Sequence, residues 1–178
     1  MKVKPILVFG YGNPGRGDDA LGPEFLNRMS EKKSAEMEPV ELLTDFQLQI
    51  EHALDLEYRR LVLFIDASVS CKAPFEFKLE KPERDLSYTT HAMSPAAVLQ
   101  VYQSMTNEAP PASFLLSIRA EQFELGGGLS AEAQENLYQA ERFAGVLFVD
   151  PTFKRWRELA ESARTVSYTH LTLPTITE

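Results

Sequence analysis

The chain has 178 residues, 44% hydrophobic and 25% charged, which is the size and composition of a single globular domain. Its formal charge of −8 argues against nucleic acid or an anionic membrane as a partner, and no apolar run approaches the roughly 20 residues of a membrane span. The single cysteine, Cys71, excludes an intrachain disulfide and a thiolate-cluster metal site, so a cytoplasmic single-domain protein is expected. The opening "MKVKPILVFG" has the charge pattern of a signal peptide, but its apolar run is short and meets a Gly-Asn-Pro turn, so it reads as a strand. Val3–Phe9 is nearly continuous in apolar residues, as in a strand buried on both faces of a parallel sheet. Asp18 or Asp19 can cap a helix running to about Glu31, with Ala20, Leu21, Phe25, Leu26 and Met29 on one side. Val40–Leu43 is a short strand and Gln47–Leu56 a short helix, followed by a second strong buried-strand signal, "RLVLFID", at Arg60–Asp66. Phe75–Leu79 alternates apolar and polar residues like a half-exposed edge strand. Ser94–Ser104 reads as a helix with Pro95 in its permitted first turn, and Ser113–Ile118 as a strand. Ser130 caps a long helix from Ala131 to about Phe148; Pro151 breaks it, and Phe153–Ala163 forms one more amphipathic helix.

This alternation predicts a three-layer α/β/α domain over residues 1–164 with a mostly parallel sheet and no internal repeats. The final stretch, residues 165–178, is rich in Thr, lacks a helix period and carries Pro174. It reads as an unpacked tail of foreign character, and it is set aside together with His170.

Gly10, Gly12 and Gly15 spell G-x-G-x-x-G directly after the first strand. A dinucleotide turn aims backbone N–H groups and a helix N-terminus at a pyrophosphate. Here Asp18 and Asp19 stand where the phosphates would sit, and Pro14 removes a donor. The acidic residue expected about 20 positions on is also misplaced, since Asp45 comes 30 residues after Gly15. The nucleotide reading is therefore weak. One Asp suffices as a helix cap, which leaves the second at the carboxyl end of a parallel strand, where open α/β sheets place their sites. Asp66 ends "RLVLFID", with the small residues Ala67 and Ser68 after it, and His91 lies in the loop "YTTHAMSP". Singly, such residues are caps or surface groups. Together, two carboxylates and an imidazole from three loops at one sheet edge suit a borderline divalent ion such as nickel, zinc or cobalt, with positions left open for water or substrate.

Nucleophile chemistry fits poorly. Ser68, Ser70 and Ser94 lack a G-x-S-x-G elbow, His52 reads as a helix-surface residue, and Cys71 as a buried, inert thiol. Tyr138, Phe143 and Phe148 are read as core or helix-packing residues.

The stretches "VFGYGNPGRGDDALGPEF", "TDFQLQIEHA", "LVLFIDAS", "TTHAMSPAAVLQVY" and "LLSIRAEQFELGGGLS" occur in the order seen in hydrogenase maturation proteases. Over about residues 3–150 the chain resembles that family. The resemblance implies a five-stranded mixed sheet between helix layers, with the edge strand Phe75–Leu79 antiparallel. It implies an aspartyl-type peptidase that trims the C-terminal extension of a nickel–iron hydrogenase large-subunit precursor, as a monomer, once nickel has been inserted. The family's metal-contacting acids and histidine fall on Asp19, Asp66 and His91. Nickel would be supplied by the substrate, and no organic cofactor is implied. Gly12, Asn13 and Gly15 would shape the turn around Asp19, while Thr89 and Thr90 would orient the histidine loop. Water activation by a carboxylate and carbonyl polarisation by the metal both remain open. So do a non-cleaving metal-binding chaperone and, less well supported, a nucleotide-binding enzyme.

Overall fold

A computed structural model describes residues 2–84 and 93–165. Thr89, Thr90, His91 and all of the expected tail beyond Thr165 lie outside the described residues. Five strands form one sheet: β1 (Ile6–Tyr11), β2 (Val40–Asp45), β3 (Leu61–Ser68), β4 (Phe75–Glu80) and β5 (Ala112–Arg119), in the order β2-β1-β3-β5-β4. All neighbours are parallel except β4, which runs antiparallel to β5 at the edge. The α/β class, the mixed sheet and the reversed edge strand thus agree with the sequence reading.

Successive side chains of a strand point to opposite faces, and β1 and β3 exploit this to build two cores. Ile6, Val8, Leu63 and Ile65 pack under α1 (Leu21–Glu31) and α3 (Ala131–Val149). Leu7, Phe9, Val62 and Phe64 pack on the other face with Leu48, Leu56 and α2 (Pro95–Thr106). The parallel strands are apolar on both faces for that reason. Capping follows the sequence at two helices: Ser94 Oγ accepts from Ala97 N, and Ser130 Oγ from Ala133 N, each at 3.1 Å. The last helix, α4 (Phe153–Thr165), is fastened by a fully buried Trp156, whose Nε1 donates to the Leu147 carbonyl at 2.8 Å. Its indole meets Phe77, Phe114 and Phe148 edge-on.

Some details differ from expectation. The helix expected at Gln47–Leu56 is a 3-10 segment, Ile50–Leu56. Phe143 and Phe148 are core residues, but Tyr138 is 50% exposed, and its ring carries the Arg142 guanidinium at 6.0 Å. No helix among the described residues is long and apolar enough to cross a membrane.

Candidate active site

The carboxyl edge of the sheet is shaped by how closely α1 approaches it. A Cβ on Gly22 would lie 2.5 Å from the Tyr11 carbonyl oxygen and 2.9 Å from that of Ile65, so only glycine lets the start of α1 rest on β1 and β3. Gly12, at φ +144°, lets the chain leave β1 sharply, and its N–H donates to the Asp45 carbonyl at 3.0 Å. The turn then folds back on itself. Asn13 N donates to Asp19 Oδ2 at 2.9 Å, Gly15 N to Asn13 Oδ1 at 2.9 Å, and Asp19 N to the Arg16 carbonyl at 3.1 Å. Gly12, Asn13 and Gly15 thus shape the turn that holds Asp19, as the sequence reading expected.

The two adjacent aspartates do different work, and neither is the expected cap. Ala20 occupies the cap position of α1, with no side-chain cap bond, after a 3-10 turn at Gly17–Ala20. Asp18 is fully buried. Its Oδ2 accepts from Glu121 N (2.7 Å), Gln122 N (3.0 Å) and Ser130 Oγ (2.8 Å), and its Oδ1 from Ser130 N (2.7 Å). Burial alone would push this carboxyl up, but the bonds from Ser130, Glu121 and Gln122 outweigh it and hold the group below its ordinary value. Asp18 clamps the 121–130 loop, while Asp19 stays half-buried on the neighbouring turn.

Asp66 sits within β3, which continues to Ser68. Burial raises its carboxyl to about 7; the Tyr11 hydroxyl, hydrogen-bonded to it, works against that shift, and the charge of Asp19 adds to it. The charge of Asp19 thus reaches Asp66. Tyr11 was not singled out from the sequence. Burial, followed by the charge of Asp66, pushes its phenol well above the usual tyrosine value, so it stays protonated and donates. The signal was available in strand parity: Phe9 pairs with Phe64 in the β1–β3 register, so residues 11 and 66 come next on the same face.

His91 lies outside the described residues, so the third member of the expected trio is not placed. Met93, two residues later, donates from its N–H to the Leu48 carbonyl at 3.3 Å and packs on the core face that carries Tyr11. Among the described residues no group of three His, Cys, Asp or Glu side chains is arranged to hold a metal ion.

The rejected nucleophiles stay rejected. Ser68 Oγ accepts from Ser70 N and Cys71 N, and Ser94 is engaged as a cap. Cys71 is buried, and burial pushes its thiol up, away from the reactive thiolate. His52 is not the surface residue expected. Its ring lies edge-on to Phe9 at 4.6 Å, its Nδ1 accepts from Gln49 N, and its Nε2 faces Asp45 Oδ2 at 3.2 Å. With Nδ1 as acceptor, the neutral ring carries its proton on Nε2 and donates to Asp45.

No family model and no curated protein sequence matches the chain. Solved structures do. The hydrogenase maturating endopeptidase HybD of E. coli shares 25% identity and a TM-score of 0.63, over 80% of this chain and 91% of that one. The nickel–iron hydrogenase maturation protease HycI of Thermococcus kodakarensis shares 21% identity and a TM-score of 0.61, over 83% and 94%. A hydrogenase 2 maturation peptidase from a Thaumarchaeota archaeon shares 20% identity and a TM-score of 0.56, over 81% and 96%. The chain has the hydrogenase maturation protease fold. This likeness agrees with the resemblance carried by the sequence motifs, and the carboxylate pair lies on the motif "GNPGRGDD" and the strand "LVLFIDAS" of that fold.

Proposed function

We propose that the chain is a cytoplasmic endopeptidase that removes the C-terminal extension of a nickel–iron hydrogenase large-subunit precursor after nickel insertion. The observation that supports this reading best is the coupling of Asp19 and Asp66 at the carboxyl edge of a maturation-protease fold. Nickel, held by the substrate, is the cation that two such carboxylates and the His91 imidazole would contact. Beside such a cation the repulsion between the acids would be relieved and Asp66 would give its proton to solvent, while the hydrogen-bonded Tyr11 hydroxyl orients that carboxylate.

Water then attacks the carbonyl carbon of the scissile peptide. The carbon–nitrogen bond breaks, the new carboxylate stays with the large subunit and the leaving amine takes a proton. Either a carboxylate accepts the proton of the attacking water or nickel polarises the carbonyl; both routes suit the side chains present. An unloaded precursor lacks the cation that draws the acids together, so nickel serves as the licence for cleavage.

The test is mass spectrometry of nickel-loaded and nickel-free precursor incubated with the protein. Shortening only in the nickel-loaded sample is expected, and it should be abolished in His91→Ala and Asp66→Ala variants whose circular dichroism is unchanged. Nickel-dependent complex formation without shortening would instead identify a maturation chaperone, and retained cleavage in both variants would refute the assignment of these residues.

A further inference from the structure

Three residues before Asp19, Arg16 lies exposed on the same turn. The turn is zipped to the 121–130 loop on both sides of it. Asp18 N donates to the Gln122 carbonyl at 2.8 Å, Gly126 N donates to the Gly15 carbonyl at 3.0 Å, and Arg16 and Leu125 form an antiparallel bridge. Residues directly opposite in an antiparallel bridge project on the same side. Leu125, 80% exposed, therefore stands beside Arg16. Arg16 Nε donates to the Phe123 carbonyl at 3.4 Å, which anchors the guanidinium without neutralising it. Among the described residues no carboxylate pairs with Arg16, whereas Arg28, Arg59, Arg119, Arg155 and Arg157 have acidic partners. Arg60, on the Pro151 carbonyl, and Arg142, over the Tyr138 ring, are unpaired too, and of these three only Arg16 lies on the turn of Asp19. An unpaired, backbone-anchored guanidinium is thus held on the turn that carries Asp19, the residue whose charge reaches Asp66 and would repel an incoming acid.

We propose that Arg16, with Leu125 beside it, is a specificity-determining contact that receives an acidic side chain, flanked by an apolar one, of the substrate segment next to the scissile bond. This inference rests on the endopeptidase reading above. A guanidinium presents a planar fork that matches a carboxylate in two parallel hydrogen bonds, which a lysine cannot reproduce. The contact offsets the repulsion an acidic segment would meet from Asp19 and Asp66, and so selects substrates that carry an acid at this place. It forms equally in the bound and reacting states, so it belongs to affinity rather than to the chemical step.

The experiment uses the full chain and a nickel-loaded large-subunit precursor. KM and kcat are measured for wild type, Arg16→Gln, Arg16→Glu and Leu125→Ala, and for precursors whose acidic residues near the junction are changed one at a time to Lys. Arg16→Gln should raise KM roughly ten- to a hundredfold, the range for a lost charge-assisted pair, with kcat within about twofold. Leu125→Ala should raise KM by a smaller factor in the same direction. Arg16→Glu should recover affinity for one acid-to-Lys precursor, a charge-swap rescue that a merely structural role would not give. Unchanged KM in Arg16→Gln with normal wild-type processing overturns this inference alone, as does a kcat loss that no charge swap rescues. No processing by wild type overturns the endopeptidase reading and this inference with it.

Discussion

Replacing Asp66 by Asn should stabilise the protein at alkaline pH while removing its activity. The Asp66 carboxyl titrates at about 7 instead of its ordinary 3.8, and a gap of about three pH units corresponds to about 4 kcal/mol when the group is fully ionised. The sign follows from proton binding. Between about pH 4 and 7 the folded chain keeps a proton that the unfolded chain has released, so stability falls as pH rises through that window. Near pH 5 only about 1.5 kcal/mol of this cost is present, and by pH 8 nearly all of it, so the variant should gain about 2–3 kcal/mol on wild type between those two values. Asn keeps an oxygen to accept from the Tyr11 hydroxyl, so that bond survives. For a chain of this size, 1 kcal/mol moves Tm by roughly 2–4 °C. Thermal melts at pH 5 and pH 8 should therefore show the Tm difference between variant and wild type widening by roughly 5–10 °C, and solvent reaching the partly exposed carboxyl favours the lower end. Parallel pH profiles for the two proteins would refute the idea that Asp66 sits ionised at a cost beside Asp19. Stability gained where activity is lost is the mark of a site kept for function.

The neighbouring aspartate should behave in the opposite way. Asp18→Asn places an amide among four donors and should cost about 3 kcal/mol at pH 7. Because the folded Asp18 carboxyl lies below its unfolded value, its contribution is present above about pH 4 and fades as pH falls through the folded value, so urea titrations of variant and wild type should converge in acid. Equal destabilisation at pH 7 and at strongly acidic pH would refute this. Gly22→Ala should cost about 2 kcal/mol or more, since its methyl would press on the carbonyls of Tyr11 and Ile65. Urea unfolding measures that cost, and a neutral result would mean that α1 does not rest on the strands as described.

Most of the fold was legible because its physics is local. Parallel strands covered on both faces read as continuous apolar runs, and "RLVLFID" and "PILVFG" could hardly be anything else. The edge strand announced itself through the alternation of Phe75, Phe77 and Leu79, while its reversed direction came only from what the family resemblance implied. What escaped was decided by partners far along the chain. Which of two adjacent aspartates is buried depends on donors 103 to 112 residues away, and no pattern within the motif carries that. Tyr11 lay beyond the strand expected at Val3–Phe9, and only the β1–β3 register puts it on the face of Asp66. His52 looked like a polar helix position until Phe9 and Asp45 closed around it.

The Asp18 clamp means that the glycine-rich motif has no shape of its own to export. The turn carrying Asp19 borrows its rigidity from a loop more than a hundred residues downstream, through four hydrogen bonds to one buried carboxylate. Transplanting "GNPGRGDD" into another α/β scaffold would move the letters and leave the geometry behind, unless residues 121–130 travelled with it. The two segments are one part, encoded in two places, and a change at Ser130 is in effect a change in the first turn.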